Sequence, residues 1–339
     1  MRSFLEAAAK VLMIGIEGQE LSAEEKEFLK KCRPAGVILF GRNIDQQNHR
    51  KLAHLTQEIS VLCGCLDENK KVLIGVDQEG GRVARIKGDF PNLGPALQID
   101  FGSTKPDSLE RIRNYGLEVG SALLKLGINL NFTPVVDILT EPLNVAIGDR
   151  CFGKTPEEVI LRAGAYLEGL TKAGVWGCLK HFPGQGHARI DTHVGTANIN
   201  IDLPTLKTRE FLPFLALNPQ APLVMVAHGI YPFLDSKEAS RSAKIMKDLL
   251  REEMGYNGVI VTDDMLMGAM PQEPEKWTQA LVESILSGAD LLLVCKGLDR
   301  AHLAWTALAE KAKTDPEFYR ILKIRAENID KLPKLLGAQ

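Results

Sequence analysis

The sequence predicts an α/β fold, a single closed barrel of eight parallel strands, and three observations indicate it. Short apolar runs alternate along the chain with longer segments that have the period of amphipathic helices. The runs are continuously apolar, which is typical of parallel strands that are covered on both faces. Eight such runs are present, and eight strand–helix units favour a (β/α)8 barrel of the TIM type over an open doubly wound sheet.

The predicted strands and helices follow one another along the whole chain. The runs that we interpret as barrel strands are residues 11–16, 36–40, 72–76, 128–132, 175–179, 223–227, 259–261 and 291–295. A helix start is predicted at residues 155–158, where a capping Thr, a Pro at the first position and a Glu at the third coincide. Further helices are predicted near residues 110–126 and 244–254. No Pro/Ser-rich linker or internal repeat divides the chain, so we expect residues 1–339 to form one domain.

Charge and composition exclude several classes of binding protein. The chain has 339 residues and a net charge of -2, with basic and acidic residues interspersed. This balance is unlike the basic surface of a nucleic-acid or membrane-surface binder, so we expect neither partner. The apolar run at residues 11–16 is too short to span a bilayer, and no small-residue cleavage site follows it. Cys178 and Cys295 lie in strand-like runs, where reduced thiols pack as small apolar side chains. Because reduced thiols are usual in the cytoplasm, and because no targeting segment is visible, we expect a cytoplasmic location.

Polar residues stand at or just beyond the ends of the predicted strands. In barrels of this kind the active site lies at the C-terminal ends of the strands and in the loops that follow them. The residues that obey this rule are Asp77, Asp137, Lys180, His181, His228, Asp263 and Asp264. Any single carboxylate at such a position could instead cap the next helix, but polar groups from five strands are poorly explained in that way. The pattern therefore predicts an enzymatic site.

The loop after the fifth predicted strand carries the highest density of reactive groups. It reads Lys-His-Phe-Pro-Gly-Gln-Gly over residues 180–186 and continues to Asp191 and His193. An Asp two residues before a His is able to hold one ring nitrogen, so that the other exchanges a proton near neutral pH. The alternative is a tight turn that Asp191 caps, with solvated histidines. Arginines in two other loops, at positions 82, 85 and 150, would bind ligand hydroxyls or form ordinary surface ion pairs.

Four motifs together resemble glycoside hydrolase family 3, in its single-domain bacterial branch of β-N-acetylglucosaminidases. They are Lys-His-Phe-Pro-Gly-x-Gly and Asp-x-His in the loop described above, Asp-Gln-Glu-Gly-Gly-Arg at residues 77–82 and Thr-Asp-Asp at residues 262–264. The resemblance implies a catalytic domain of the family's N-terminal type and a retaining exo-hydrolase that removes terminal β-linked N-acetylglucosamine. It implies a saccharide as the partner, either a muropeptide of cell-wall recycling or a chitooligosaccharide, and no metal or organic cofactor. We expect a monomer.

The resemblance also implies a role for each site residue. Asp263 is expected to be the nucleophile, and His193 the general acid and then base, oriented and tuned by Asp191. The residues that the resemblance assigns to sugar binding are Asp77, Arg85, Arg150, Lys180 and His181. Neighbouring strand residues point to opposite faces, so Asp264 is expected to differ in function from Asp263, as a supporting or helix-start residue.

One position departs from the family pattern, and several alternatives stay open. Gln185 occupies a position where relatives usually carry a His, and His187 follows two residues later, which we expect to affect loop hydrogen bonding or the aglycone side. The same scaffold would also suit a β-N-acetylglucosaminide phosphorylase or another β-glycosidase. A metal-dependent amidohydrolase is disfavoured because no His-x-His follows the first strand. An inactive sugar-binding barrel ranks last, since Asp263 and the Asp191/His193 pair are retained.

Overall fold

Eight parallel strands close into a barrel in the computed structural model, which describes residues 2–64, 72–188 and 197–332. The strands in chain order are β1 (Leu12–Gly15), β2 (Gly36–Leu39), β3 (Leu73–Val76), β4 (Gln78–Gly80), β5 (Val83–Ala84), β6 (Leu130–Asn131), β7 (Trp176–Phe182), β8 (Leu223–Val226), β9 (Val259–Asp264) and β10 (Leu291–Val294). β4 and β5 form a separate antiparallel hairpin. The other strands pair in chain order, and β10 pairs with β1. Each predicted run overlaps one barrel strand, with β7 and β9 extending beyond their runs by three residues each, so the predicted fold class is confirmed.

The barrel strands are apolar on both faces because their side chains alternate between two packed layers. Met13 on β1 packs inside the barrel with residues from the other strands, such as Leu130 and Trp176. Its neighbour Ile14 belongs to the outer layer between strands and helices. From the C-terminal end of the described chain, Leu332 joins the interior cluster, and its carbonyl oxygen accepts a hydrogen bond from Trp176 Nε1 at 3.3 Å. This double burial is the physical reason that the runs lack an alternating pattern.

Helices surround the barrel. In chain order they are α1 (Arg2–Ala9), α2 (Ala23–Cys32), α3 (His49–Leu62), α4 (Pro106–Lys125), α5 (Pro156–Ala173), α6 (Leu203–Thr205), α7 (Phe211–Leu217), α8 (Pro274–Ser287), α9 (Leu298–Thr314) and α10 (Pro316–Asp330). A π-helical segment, Leu206–Glu210, joins α6 to α7, and a second, Lys244–Glu253, lies between β8 and β9. Within the three described ranges, no helix is long and apolar enough to cross a membrane.

The predicted helix boundaries agree with the structure where a cap defines them. Thr155 is the N-cap of α5, and its hydroxyl accepts the backbone N–H of Glu158 at 3.3 Å, which confirms the predicted start. α4 begins at Pro106, earlier than the apolar period indicated, because proline at the first position allows an additional polar turn. The segment predicted as a helix at residues 244–254 is π-helical.

Two buried polar side chains, Gln78 and Asn131, hold the hairpin of β4 and β5 together and against the barrel. Gln78 Oε1 accepts the backbone N–H groups of Arg85 at 2.8 Å and Ile86 at 2.9 Å. The Gln78 backbone N–H in turn donates to Asn131 Oδ1 at 2.9 Å, which ties the hairpin to β6. Because side chains alternate along an extended strand, Asp77 and Glu79 lie on the opposite side from Gln78. The hairpin therefore presents two carboxylates to the C-terminal mouth of the barrel.

Candidate active site

A cavity of about 320 Å³ opens at the C-terminal ends of the barrel strands. The size lies at the lower end of the range for ligand pockets, about 300–1,000 Å³. Its charged and polar lining residues are Asp77, Glu79, Arg82, Arg85, Arg150, Lys180, His181, Asp263 and Asp264. All five residues predicted to bind sugar and the predicted nucleophile thus line one cavity.

Two carboxylates and two cations form a buried ion cluster in the wall of this cavity. Lys180 Nζ, at the end of β7, lies 2.7 Å from Asp77 Oδ1 and 2.6 Å from Glu79 Oε1. Arg150 makes a two-pronged contact with Glu79, from Nε to Oε2 at 2.7 Å and from Nη2 to Oε1 at 2.8 Å. The side chains of Lys180 and Glu79 are only 2% and 3% exposed. Buried charges are stable only when they are paired and hydrogen-bonded, so these contacts hold the four side chains in fixed orientations.

The contacts within the cluster favour the ionised forms of Glu79, Lys180 and Arg150. Burial alone would raise the pKa of Glu79, but the Arg150 and Lys180 charges outweigh it and hold this pKa well below its usual range. Burial acts to lower the pKa of Lys180, whereas Asp77 and Glu79 raise it above its ordinary value. The pKa of Arg150 is likewise raised, since Glu79 overcomes the effect of burial. A charged Glu79 carboxylate therefore lies between two cations beside the cavity.

Arg85 completes the cationic side of the cavity more loosely. Its guanidinium Nη2 lies 3.8 Å from Asp77 Oδ2, and its guanidinium carbon lies 5.6 Å from the centre of the Phe40 ring. The backbone of Arg85 is held by the Gln78 side chain and by Gln46, whose Nε2 donates to the Arg85 carbonyl oxygen at 2.9 Å. At this distance Arg85 and Asp77 form an ion pair without a hydrogen bond.

His181 is fixed by a buried carboxylate that follows β6. Asp137 Oδ2 accepts the His181 ring N–H at Nδ1, at 2.7 Å, and the His181 backbone N–H at 3.2 Å. Asp137 Oδ1 accepts the backbone N–H of Gln185 at 2.6 Å. Because a carboxylate only accepts, Nδ1 carries the proton, and in the neutral ring Nε2 is the acceptor. Asp137 thereby sets the tautomer of His181 and anchors the start of the following loop.

The described part of that loop is also braced from two other sides. Asn144 Nδ2 donates to the carbonyl oxygen of Gln185 at 2.7 Å, and Tyr231 donates its hydroxyl to the carbonyl oxygen of Gly184 at 2.8 Å. A Cβ on Gly186 would lie 1.6 Å from the carbonyl oxygen of Ile138, so only glycine allows this approach. The predicted acid/base pair, Asp191 and His193, lies outside the described residues.

The two adjacent carboxylates at the end of β9 have different surroundings. Asp264 Oδ1 accepts the backbone N–H groups of Leu266 at 3.1 Å and Cys295 at 3.2 Å. Burial is the largest cause of a raised pKa at Asp264, and the neighbouring Asp263 charge adds to it. Asp263 also lines the cavity, and its Oδ1 accepts the Asp264 backbone N–H at 2.8 Å. Asp264 thus braces the backbone of the strand end that carries Asp263.

The structure corrects the expectation for one strand-end residue and adds one residue to the site. His228, at the end of β8, is fully buried and bonds Ser240 Oγ through Nδ1 at 2.6 Å and the Asp264 carbonyl oxygen through Nε2 at 2.9 Å. It is not among the described residues that line the cavity, so it supports the site from behind. Asp137, a predicted strand-end residue, acts through His181, and Glu79 is a site residue to which the sequence analysis assigned no function. The spacing of Asp77 and Glu79, two residues apart in an extended segment, was a signal for Glu79.

Comparison with known proteins gives the family. The model of the glycosyl hydrolase family 3 N-terminal domain matches residues 6–322. A beta-hexosaminidase from Idiomarina loihiensis is 32% identical over 309 residues, which are 90% of this chain and 89% of that protein. A solved family 3 beta-N-acetylglucosaminidase from Paenibacillus superposes with a TM-score of 0.87 at 28% identity, and 97% of this chain spans 62% of that chain. NagZ from Neisseria gonorrhoeae, in complex with N-trifluoroacetyl-D-glucosamine, is 29% identical with a TM-score of 0.77, over 94% of this chain and 97% of that chain.

The matched family region includes every strand of the barrel and every described residue of the ion cluster. The sequence match and the structural superposition both relate the chain to family 3. The chain therefore belongs to glycosyl hydrolase family 3 and is a glycoside hydrolase.

Proposed function

We propose that the enzyme is a retaining exo-β-N-acetylglucosaminidase that removes terminal β-linked N-acetylglucosamine through a covalent glycosyl-enzyme. The single observation that carries the proposal is the meeting of five polar residues, from three parts of the chain, around a cavity that Asp263 also lines. The names of the relatives support the choice of sugar, since they include a beta-hexosaminidase and a protein bound to an N-acylated glucosamine.

The sugar-binding part of the proposal follows from the hydrogen-bond donors and acceptors that remain unused within the ion cluster and on the neighbouring side chains. An ammonium group has three donors, and Asp77 and Glu79 take two of those on Lys180. Asp77 Oδ2 is 3.8 Å from Arg85, beyond hydrogen-bond distance, and is suited to accept a sugar hydroxyl. His181 Nε2 is suited to accept a second one. In this arrangement the non-reducing sugar is bound by Lys180, Asp77, His181, Arg85 and Arg150.

The chemical part of the proposal assigns the reacting groups. Asp263 attacks the anomeric carbon, and His193 donates its proton to the departing glycosidic oxygen. In the second step His193 takes a proton from water, which attacks the anomeric carbon and releases Asp263 as a carboxylate. Asp191 orients His193 and favours its protonated form. An imidazole with an ordinary pKa of about 6.5 serves both as acid and as base near neutral pH.

The first experiment compares p-nitrophenyl β-N-acetylglucosaminide with the matching β-glucoside, using wild-type protein and Asp263→Ala. We expect turnover of the acetamido sugar alone, and its loss in the variant. Turnover of the glucoside at an equal rate would contradict the proposed sugar, and an active Asp263→Ala protein would contradict the proposed nucleophile. The same assay in phosphate buffer should release the free sugar, whereas release of the sugar 1-phosphate would identify a phosphorylase.

We also propose a natural substrate and a location. The substrate is an N-acetylglucosaminyl muropeptide, and the enzyme works as a monomeric single domain in the cytoplasm. Support for the location comes from Cys32, Cys151, Cys178 and Cys295, which are buried as thiols, as is usual in a reducing compartment. Comparing kcat/KM for a purified muropeptide and for chitobiose tests the substrate; a preference for chitobiose would favour chitooligosaccharides instead.

A further inference from the structure

Among the residues that the structure describes, Glu79 bonds two cations, Arg150 and Lys180, although it lies in the wall of the sugar site. Its two oxygens receive three N–H groups, two from Arg150 and one from Lys180, at 2.6 to 2.8 Å. The side chain is 3% exposed. A carboxylate with both oxygens occupied in this way has little capacity left for a sugar hydroxyl.

Glu79 also separates two like charges. Lys180 Nζ and Arg150 Nη2 both bond the same oxygen, Glu79 Oε1. The positive charge of Arg150 acts to lower the pKa of Lys180, so the two cations repel each other. Asp77 contacts Lys180 but lies outside the two-pronged contact with Arg150. Glu79 is therefore the group among the described residues that joins these two cations.

We propose that Glu79 is a positioning residue, whose carboxylate orients Lys180 and Arg150 so that their remaining N–H groups point at the sugar. This inference rests on the proposed function of the site. Its effect is on sugar binding in both the ground state and the transition state, because the cations act on the sugar hydroxyls and not on the bond that is cleaved. A change at Glu79 should thus raise KM with little effect on kcat.

The test uses Glu79→Gln, which keeps the shape of the side chain and removes its charge, and Glu79→Asp, which keeps the charge and shortens the reach. With the p-nitrophenyl N-acetylglucosaminide, Glu79→Gln should raise KM about 10- to 100-fold, as is typical when a group that orients binding residues is lost. Glu79→Asp should recover part of that loss. Glu168→Gln is the matched control, because Glu168 also joins an Arg and a Lys, Arg113 and Lys172, but at a 41% exposed position.

The pH profile distinguishes positioning from a merely structural function. The titratable groups closest to the Lys180 ammonium are Asp77, Glu79 and Arg150, with Cys178 on the same strand and His181 and Asp263 lining the same cavity. Of these, Asp77 and Glu79 raise the pKa of Lys180, so removing the Glu79 charge lowers it. The alkaline limb of N-acetylglucosamine binding, measured by calorimetry so that the titration of the acid/base group does not mask it, should move to lower pH in Glu79→Gln and stay in place in Glu168→Gln.

Each outcome decides the inference. An unchanged KM and alkaline limb in folded Glu79→Gln would overturn it, as would a loss confined to kcat. If Glu79→Gln does not fold, Glu79→Asp decides, since a wild-type KM there would show that the reach of the carboxylate is unimportant. Calorimetry with N-acetylglucosamine separates the two proposals. Wild-type protein that neither binds N-acetylglucosamine nor hydrolyses its p-nitrophenyl glycoside refutes both proposals. An active wild type whose KM is unaffected by the Glu79 substitutions refutes only this one.

Discussion

The buried carboxylate of Asp137 should contribute more to stability than any exposed carboxylate that makes as many bonds. Its side chain is fully buried and accepts three N–H groups, two from His181 and one from Gln185. In Asp137→Asn the amide oxygen is able to keep the two bonds to His181. The amide NH2 group then faces the backbone N–H of Gln185, and a donor meets a donor.

The size of the effect follows from that count. The lost bond to Gln185 had a charged acceptor, and such a bond contributes about 2 kcal/mol. The two remaining bonds become neutral and lose about half of their strength, roughly 1 kcal/mol each. Asp137→Asn should therefore lower the free energy of unfolding by about 3–5 kcal/mol, a large part of the 5–15 kcal/mol that is usual for a native protein.

Urea unfolding, followed by circular dichroism, measures this difference. The matched control is Asp45→Asn, because Asp45 also accepts two backbone N–H groups, from Gln47 and Asn48, and one side-chain cation, Lys51, but at a water-accessible position. Water replaces those contacts, so the control should cost much less than Asp137→Asn. Equal, small losses in the two variants would refute the reasoning that buried N–H groups depend on the Asp137 charge.

Three further predictions concern the loop, acid stability and the acid/base group. Gly186→Ala should abolish sugar hydrolysis, because its Cβ would meet a backbone oxygen at 1.6 Å, whereas Gly41→Ala, with nothing within 4 Å, should retain wild-type rates in the same assay. Glu79 has a lowered pKa, so its stabilisation is present above its unfolded pKa of about 4.3 and is lost as the pH falls toward its folded pKa. The gap in unfolding free energy between wild type and Glu79→Gln should be constant from pH 7 to about 5 and shrink below about 4; a constant gap at acid pH would contradict this. His193→Ala should spare the first step with good leaving groups and slow deglycosylation, and pre-steady-state bursts that match the wild type would remove His193 from the mechanism.

Burial on both faces is what made the barrel predictable. Neighbours such as Met13 and Ile14 face the interior and the helix layer, respectively, so both must be apolar and the strand is visible in the sequence. The hairpin of β4 and β5 lacked such a signal, because Gln78-Glu79-Gly80 has no apolar pattern. The Gln78 side chain closes that hairpin by accepting the backbone N–H of Arg85, and the Asn131 side chain, 53 residues away in the chain, ties it to the barrel by accepting the backbone N–H of Gln78.

By itself, the sequence determined the barrel, the family motifs and the residues at the strand ends, since each depends on the order of neighbouring residues. It also remains the basis for Asp191 and His193, which lie outside the described residues. The tertiary structure decided that Glu79 joins Lys180 to Arg150 and that His228 lies behind the cavity. The sequence does not show these contacts because the partners are far apart in the chain; Lys180 and Asp77, for example, are 103 residues apart. They meet only because the ends of parallel strands lie together at one mouth of the barrel.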